Sequence, residues 1–159
     1  MMNEPIVEIR NFLRTRLTDP NSGRDTPNYV YTWWPRHDLT ADSFPLVTVV
    51  QLDESSEVFG LGSTVHWGVF PIQIDIWAKE DKLYTVDAVA REGKELAFII
   101  ARKIQEAFRL YWISDLAQTG KFKLYKLSGK KPISYDMEKK LWRITITIEL
   151  ERELTTDWI

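Results

Sequence analysis

Trp142-Arg143-Ile144-Thr145-Ile146-Thr147-Ile148-Glu149-Leu150-Glu151 puts an apolar side chain at every even position and a polar one at every odd position. Successive side chains of a strand point to opposite faces, so this period of two describes a strand with one buried and one solvated face. A strand of that kind suits an antiparallel sheet covered on one side only. Upstream, Phe122 to Leu127 and Ile133 to Met137 are weaker strand segments, and Glu138-Lys139-Lys140 is the expected hairpin turn into the final strand.

Working further towards the N-terminus, Val86, Val89, Gly93, Leu96, Ala97, Ile100, Ile104, Ala107, Phe108 and Tyr111 recur at helical spacing. The pattern predicts one long amphipathic helix over 86–111. Residues 64–78 alternate with a change of phase: Val65, Trp67 and Val69 share one parity, and Phe70, Ile72, Ile74 and Ile76 share the other. A strand with a β-bulge between Gly68 and Pro71 would account for that switch, because one extra residue moves every later side chain to the other face. Residues 53–63, acidic at the start and glycine-bearing at the end, read as a long mobile loop. Leu46–Leu52 and Tyr29–Trp34 read as strands, each bordered by proline. Ile6, Ile9, Leu13 and Leu17 form the stripe of a short first helix over 5–17, which Asp19-Pro20-Asn21-Ser22-Gly23 ends. The expected fold class is therefore α+β: a mostly antiparallel sheet with a short N-terminal helix and one long helix packed on one face, in a single domain spanning residues 1–159.

Composition narrows the chemistry. The 159 residues contain no cysteine, which excludes disulfides, thiolate nucleophiles and Cys-based metal sites. No run of 18 apolar residues exists, and Met1-Met2-Asn3-Glu4-Pro5 lacks a signal-peptide pattern, so no membrane association is expected. Gly60-Leu61-Gly62 has Val65 where a dinucleotide fingerprint needs glycine, and Gly93-Lys94 is followed by Glu95 rather than Ser or Thr. His37 and His66 have no metal-ligand spacing, and Asp53, Glu54 and Glu57 do not follow an EF-hand. Asp75, set between Ile74 and Ile76, is expected opposite the isoleucine face, towards solvent or a subunit contact. The expectation is no catalysis, no metal and no cofactor.

Binding surfaces are better represented. Aromatic residues make up 13% of the chain. Adjacent Trp33 and Trp34 in a strand would point to opposite faces, leaving one for a protein contact. Val58, Phe59 and Leu61 in the 53–63 loop, and Trp158 and Ile159 after a polar stretch, are further interface candidates. The net charge of -2 conceals a basic segment: residues 121–143 carry 8 basic and 2 acidic side chains. Lys121, Lys123, Lys126, Lys130 and Lys131 are its candidate contacts for phosphate or an acidic protein rim, against the simpler role of lysines guarding strand edges.

The order of these patterns resembles the tail terminator proteins of long-tailed bacteriophages and proviruses, also described as tail-to-head joining or tail completion proteins. The resemblance runs through the first helix, Pro45-Leu46-Val47-Thr48-Val49, the glycine-bearing loop, Ile72-Gln73-Ile74-Asp75-Ile76-Trp77, the helix carrying Ala97, Ile100, Ile104 and Phe108, and Ile133-Ser134-Tyr135-Asp136 before the last strand. It implies a virion structural protein that assembles as a homo-oligomer, a hexameric ring capping the completed tail tube. Its implied partners are the tail tube protein and a head completion or neck protein, with DNA passing through the ring without specific binding. The implied location is the head–tail joint of the virion, after assembly in the host cytoplasm. Two alternatives stand beside it: another head completion or connector subunit, and a small-molecule-binding domain with a cleft beside the 64–78 strand and the 53–63 loop.

Overall fold

The computed structural model describes residues 4–24, 29–35, 39–52, 55–58, 66–112, 114, 123–127 and 134–154. The fold is α+β: a mostly antiparallel sheet with both helices on one face. In chain order the elements are α1 (Pro5–Arg16), β1 (Val30–Thr32), β2 (Leu46–Gln51), β3 (Ser55–Val58), β4 (His66–Lys79), β5 (Tyr84–Val86), β6 (Val89–Arg91), α2 (Gly93–Tyr111), β7 (Lys123–Leu127), β8 (Ser134–Asp136) and β9 (Leu141–Leu154). The sheet order is β1-β2-β4-β9-β7, with β3 on β4, β8 on β9, and β5-β6 as a separate ribbon. Among the described residues only the β1–β2 pairing is parallel.

The centre of the sheet is the β4–β9 pair, in unbroken antiparallel register from His66 opposite Leu154 to Lys79 opposite Leu141. That register sets Ile72 against Ile148, Ile74 against Ile146 and Ile76 against Ile144, and all six are fully buried. β-branched side chains directly opposite one another pack well on a pleated surface, so this ladder is the floor of the core. Ile9, Phe12 and Leu13 of α1 and Leu96, Ile100, Ile104 and Phe108 of α2 lie on it, with the Phe12 and Phe108 rings 5.1 Å apart.

The bulge expected between Gly68 and Pro71 is not there, because β4 keeps its register with β9 throughout. The even residues from Gly68 to Ala78 are all buried on the helix side, and Val69 lies on the opposite face, so the change of phase marks apolar residues on both faces rather than a slip. The irregularity sits on the other neighbour. Gln51 pairs with Ile72 and Ser55 with Val69, so four steps of chain from β2 to β3 match three steps of β4. Pro71 borders this discontinuity: its carbonyl accepts the Leu52 N–H at 2.9 Å, and its missing donor points the same way, away from β9. The 53–63 segment, expected to be loop throughout, contributes β3.

The helix expected over 86–111 begins only at Gly93. Residues 84–91 instead form the β5–β6 ribbon, with Asp87 and Ala88 at φ of 53° and 64°. Positive φ at both central residues is the requirement of a type I′ hairpin turn. Val86 and Val89 flank that turn three residues apart, a separation that coincides with helical spacing. Gly93, expected inside a helix with close packing as its reason, is the first residue of α2 at φ 49°, and a Cβ there would lie 3.0 Å from Trp142 Cδ1. Both backbone and space demand glycine.

Two substitutions in this region should have opposite signs. Ala88→Gly removes a left-handed alanine and is expected to stabilise by about 0.5–1 kcal/mol, whereas Gly93→Ala should cost about 1–3 kcal/mol through backbone conformation and contact with Trp142. Thermal unfolding followed by circular dichroism checks both, since about 1 kcal/mol moves Tm by roughly 2–4 °C at this chain length. Equal shifts of one sign would refute the turn geometry.

Candidate functional site

The face of the sheet away from the helices carries a polar network and an aromatic patch. Asp75 is opposite the isoleucine face as expected, but it is 4% exposed rather than turned to solvent. Its carboxylate accepts Arg143 Nε at 3.1 Å and Arg143 Nη2 at 3.2 Å, Thr145 Oγ1 at 2.6 Å and Gln73 Nε2 at 2.9 Å. All four bonds come from β4 and β9, whose register puts Asp75 opposite Thr145. A buried carboxylate is tolerated only when its lone pairs are used, and here both oxygens have two partners.

Arg143 also lies over the Trp77 ring, 5.0 Å from its centroid. The Trp77 indole N–H donates to Thr48 Oγ1 at 3.1 Å, and Trp34 meets the same ring edge-on at 5.1 Å. Beside them Phe44, Leu46 and Leu141 make a small second core, flanked by Tyr31 and Leu39. The sheet's outer face is thus held by an ordered chain of contacts from Asp75 through Arg143 and Trp77 to Trp34.

Trp33 and Trp34 do not alternate across a strand, because β1 stops at Thr32. Trp33 has φ 62°, which breaks the strand direction, and the two indoles are 51% and 45% exposed, so neither fills the core. A bulky residue in the left-handed region is an outlier that costs about 1–2 kcal/mol. The backbone of Trp33 is pinned there by its N–H bond to the Val49 carbonyl at 3.0 Å. One turn away, Arg14 Nε donates to the Val30 carbonyl at 2.9 Å and so occupies the outward edge of β1. An edge strand closed in this way resists further strand pairing.

A groove of about 820 Å³ opens in the helix layer, between the end of α1 and residues 17–22 on one side and the β5–β6 ribbon and α2 on the other. Its first wall is fixed by Arg24, whose guanidinium bonds Asp19 at 2.7 Å and the carbonyls of Ser43 and Pro45. Burial, with Asp19 nearby, pushes the Tyr29 phenol up from its ordinary pKa, so it is neutral where it borders this wall. The second wall is tied by the Lys103–Asp87 ion pair at 3.0 Å. Leu83 and Leu110 on the rim are 58% and 70% exposed. The groove is not the cleft expected beside the 53–63 loop. The sequence reading did not find it; Leu110, which falls off the apolar stripe of α2, is a signal that could have.

The remaining candidates divide simply. Phe59, Leu61, Trp158, Ile159, Lys121, Lys130, Lys131, His37, Asp53 and Glu54 lie outside the described residues. Val58 closes β3, opposite His66 at the start of β4. Lys123 and Lys126 are on β7, where the register sets Lys123 opposite Glu151 and Lys126 opposite Glu149. A shift between Leu124 and Lys126 produces that match and also sets Leu124 and Leu127 against Leu150 and Ile148. Lysines and leucines three apart meet a two-residue period only with one extra residue in β7. Two of the five lysines therefore have acids at opposed positions, which favours a cross-strand role over an open basic band.

Among the described residues no group of His, Asp and Glu is placed to hold a metal ion, and no helix is long and apolar enough to cross a membrane. Compared with known proteins, the chain matches no protein-family model and no curated protein sequence.

The Asp75 network should behave as a unit. Arg143→Met leaves a buried carboxylate short of two bonds and is expected to cost about 2–4 kcal/mol, reduced below a fully buried pair because Arg143 is itself 37% exposed. Asp75→Asn in the Arg143→Met background should recover at least half of that loss. Urea unfolding of the four proteins measures the coupling, and additive losses would show that the pair does not interact.

Proposed function

We propose that the protein is a tail terminator: a virion structural protein that caps the completed tail tube as a hexameric ring and joins it to the head, without catalysing a reaction. The observation that carries this reading is the aromatic patch on the outer sheet face, the half-exposed Trp34 indole mounted on an ordered polar network with the half-exposed Trp33 next to it in the chain, in a chain whose order of elements resembles that family. Exposed tryptophan and arginine set on a rigid base are the side chains that dominate protein–protein contacts. The strain at Trp33 supports the same reading, since strained backbone persists at sites kept for contact.

In this reading the tail tube protein and a neck protein are the partners, and the location is the head–tail joint of the virion. DNA passes without specific binding, because lysines with opposed glutamates release few counterions on meeting phosphate. A second reading, a small-molecule-binding domain, draws on the groove, whose volume falls in the range of about 300–1,000 Å³ common for ligand pockets.

Native mass spectrometry over a wide concentration range, with and without tube protein, is expected to show a closed six-subunit species. Duplex DNA at about 0.15 M salt, where exposed charges are screened over roughly 8 Å, should bind no more tightly than to a neutral control. A persistent monomer that gains thermal stability from a metabolite would replace the ring reading with the second one.

A further inference from the structure

Arg10 and Arg14 lie on the flank of α1 that faces the edge strand β1. They are one helical turn apart, a spacing that sets side chains of one face about 5–6 Å from each other at Cβ. Arg14 is half-buried and held by its Nε bond to the Val30 carbonyl at 2.9 Å, close to Tyr31. Arg10 meets only the Asn11 side chain, at 3.3 Å from both Nε and Nη2. Among the described residues neither guanidinium has an ion-pair partner, and the Nη donors of Arg14 have no acceptor. Burial and the Arg10 charge together pull the Arg14 pKa below its ordinary value. Like charges at this spacing destabilise a helix, and a partly desolvated cation without a counter-charge adds to that cost. The negative end of the helix dipole accounts for Arg14, which is in the last turn of α1, but not for Arg10. An anion between the two forks would remove the repulsion and satisfy the idle donors.

The surroundings decide which anion. Glu4 and Glu8 lie on the same helix, so a continuous polyanion such as duplex DNA is repelled where a single acidic side chain is not. The strand that Arg14 grips leads into the exposed Trp33 and Trp34, and arginine with tryptophan is the combination enriched at protein contacts. We propose that Arg10 and Arg14 together bind the carboxylate of an Asp or Glu on a partner protein, with Arg14 as the fixed anchor and Arg10 as the arm that closes on it. A carboxylate has about four acceptor sites, enough for both guanidinia, and the fork geometry sets orientation as well as adding attraction. The site needs no second copy of this chain and stands whether or not a ring forms.

The probe is a capped tetraglutamate peptide, titrated at low ionic strength while the side-chain Nε–H signals of isotope-labelled arginine are followed by NMR. The Arg10 and Arg14 signals should shift saturably. Arg10→Gln should weaken binding at least tenfold, and Arg10→Lys, which keeps the charge and loses the fork, should fall between the two. Without peptide, Arg10→Gln should stay folded and raise Tm by about 1 °C, because it removes the like-charge pair. A lowered Tm would show that Arg10 serves the fold, and would overturn the proposal. So would the absence of a saturable shift, or a peptide that moves the Arg16, Arg102 and Arg109 signals as far as those of Arg10 and Arg14. Inorganic phosphate and a short DNA duplex are titrated beside the peptide, and displacement of the peptide by either at a lower charge-matched concentration overturns the assignment to a protein carboxylate.

Discussion

The fold depends on one pairing, the antiparallel contact between β4 and β9. It sets three isoleucines of one strand directly against three of the other, and both helices pack on the ladder so formed. Register is decided there, because a one-residue slip of β9 would exchange Ile144, Ile146 and Ile148 for Arg143, Thr145 and Thr147 against the β4 isoleucines. The opposite face reinforces the choice, since Arg143 and Thr145 reach the Asp75 carboxylate only in this register. Apolar burial on one side and carboxylate satisfaction on the other therefore select the same alignment.

The same constraint orders the side chains of the outer face. Trp77 is fixed between Thr48 and Arg143, and Trp34 takes its orientation from Trp77. Side chains that are already ordered lose little entropy when a partner covers them, so a small rigid patch can contribute more than a larger flexible one. The edges of the sheet are treated differently. β1 is three residues long, closed by Arg14 and ended by Trp33, while β7 places lysines opposite glutamates. Both treatments oppose pairing with an added strand.

The hairpin between β4 and α2 is a wall of the groove as well as a connection. Asp87 at its tip holds Lys103, and Leu83 at its base stands beside the groove. The turn conformation of Asp87 and Ala88 thus shapes the helix-layer surface as well as linking strand to helix.

The alternation from Trp142 to Glu151 by itself determined a one-sided strand, and the stripe from Leu96 to Phe108 determined a helix packed by one face, because each pattern reports which side chains avoid water. Together they made the α+β class legible. The tertiary structure decided what a periodic pattern cannot carry: which neighbour a strand has and where an irregularity falls. The phase change near Pro71 belonged to the junction of β2 and β3, and the start of the long apolar run belonged to a hairpin, because alanine gives no sign that it will adopt a left-handed turn. Asp75 was visible as a carboxylate between isoleucines, but its burial follows from Arg143 and Thr145, 68 and 70 residues away in the chain. Trp33 and Trp34 were legible as candidates for contact, and only the break after Thr32 decided that both reach the surface, since a strand would have sent one of them inward.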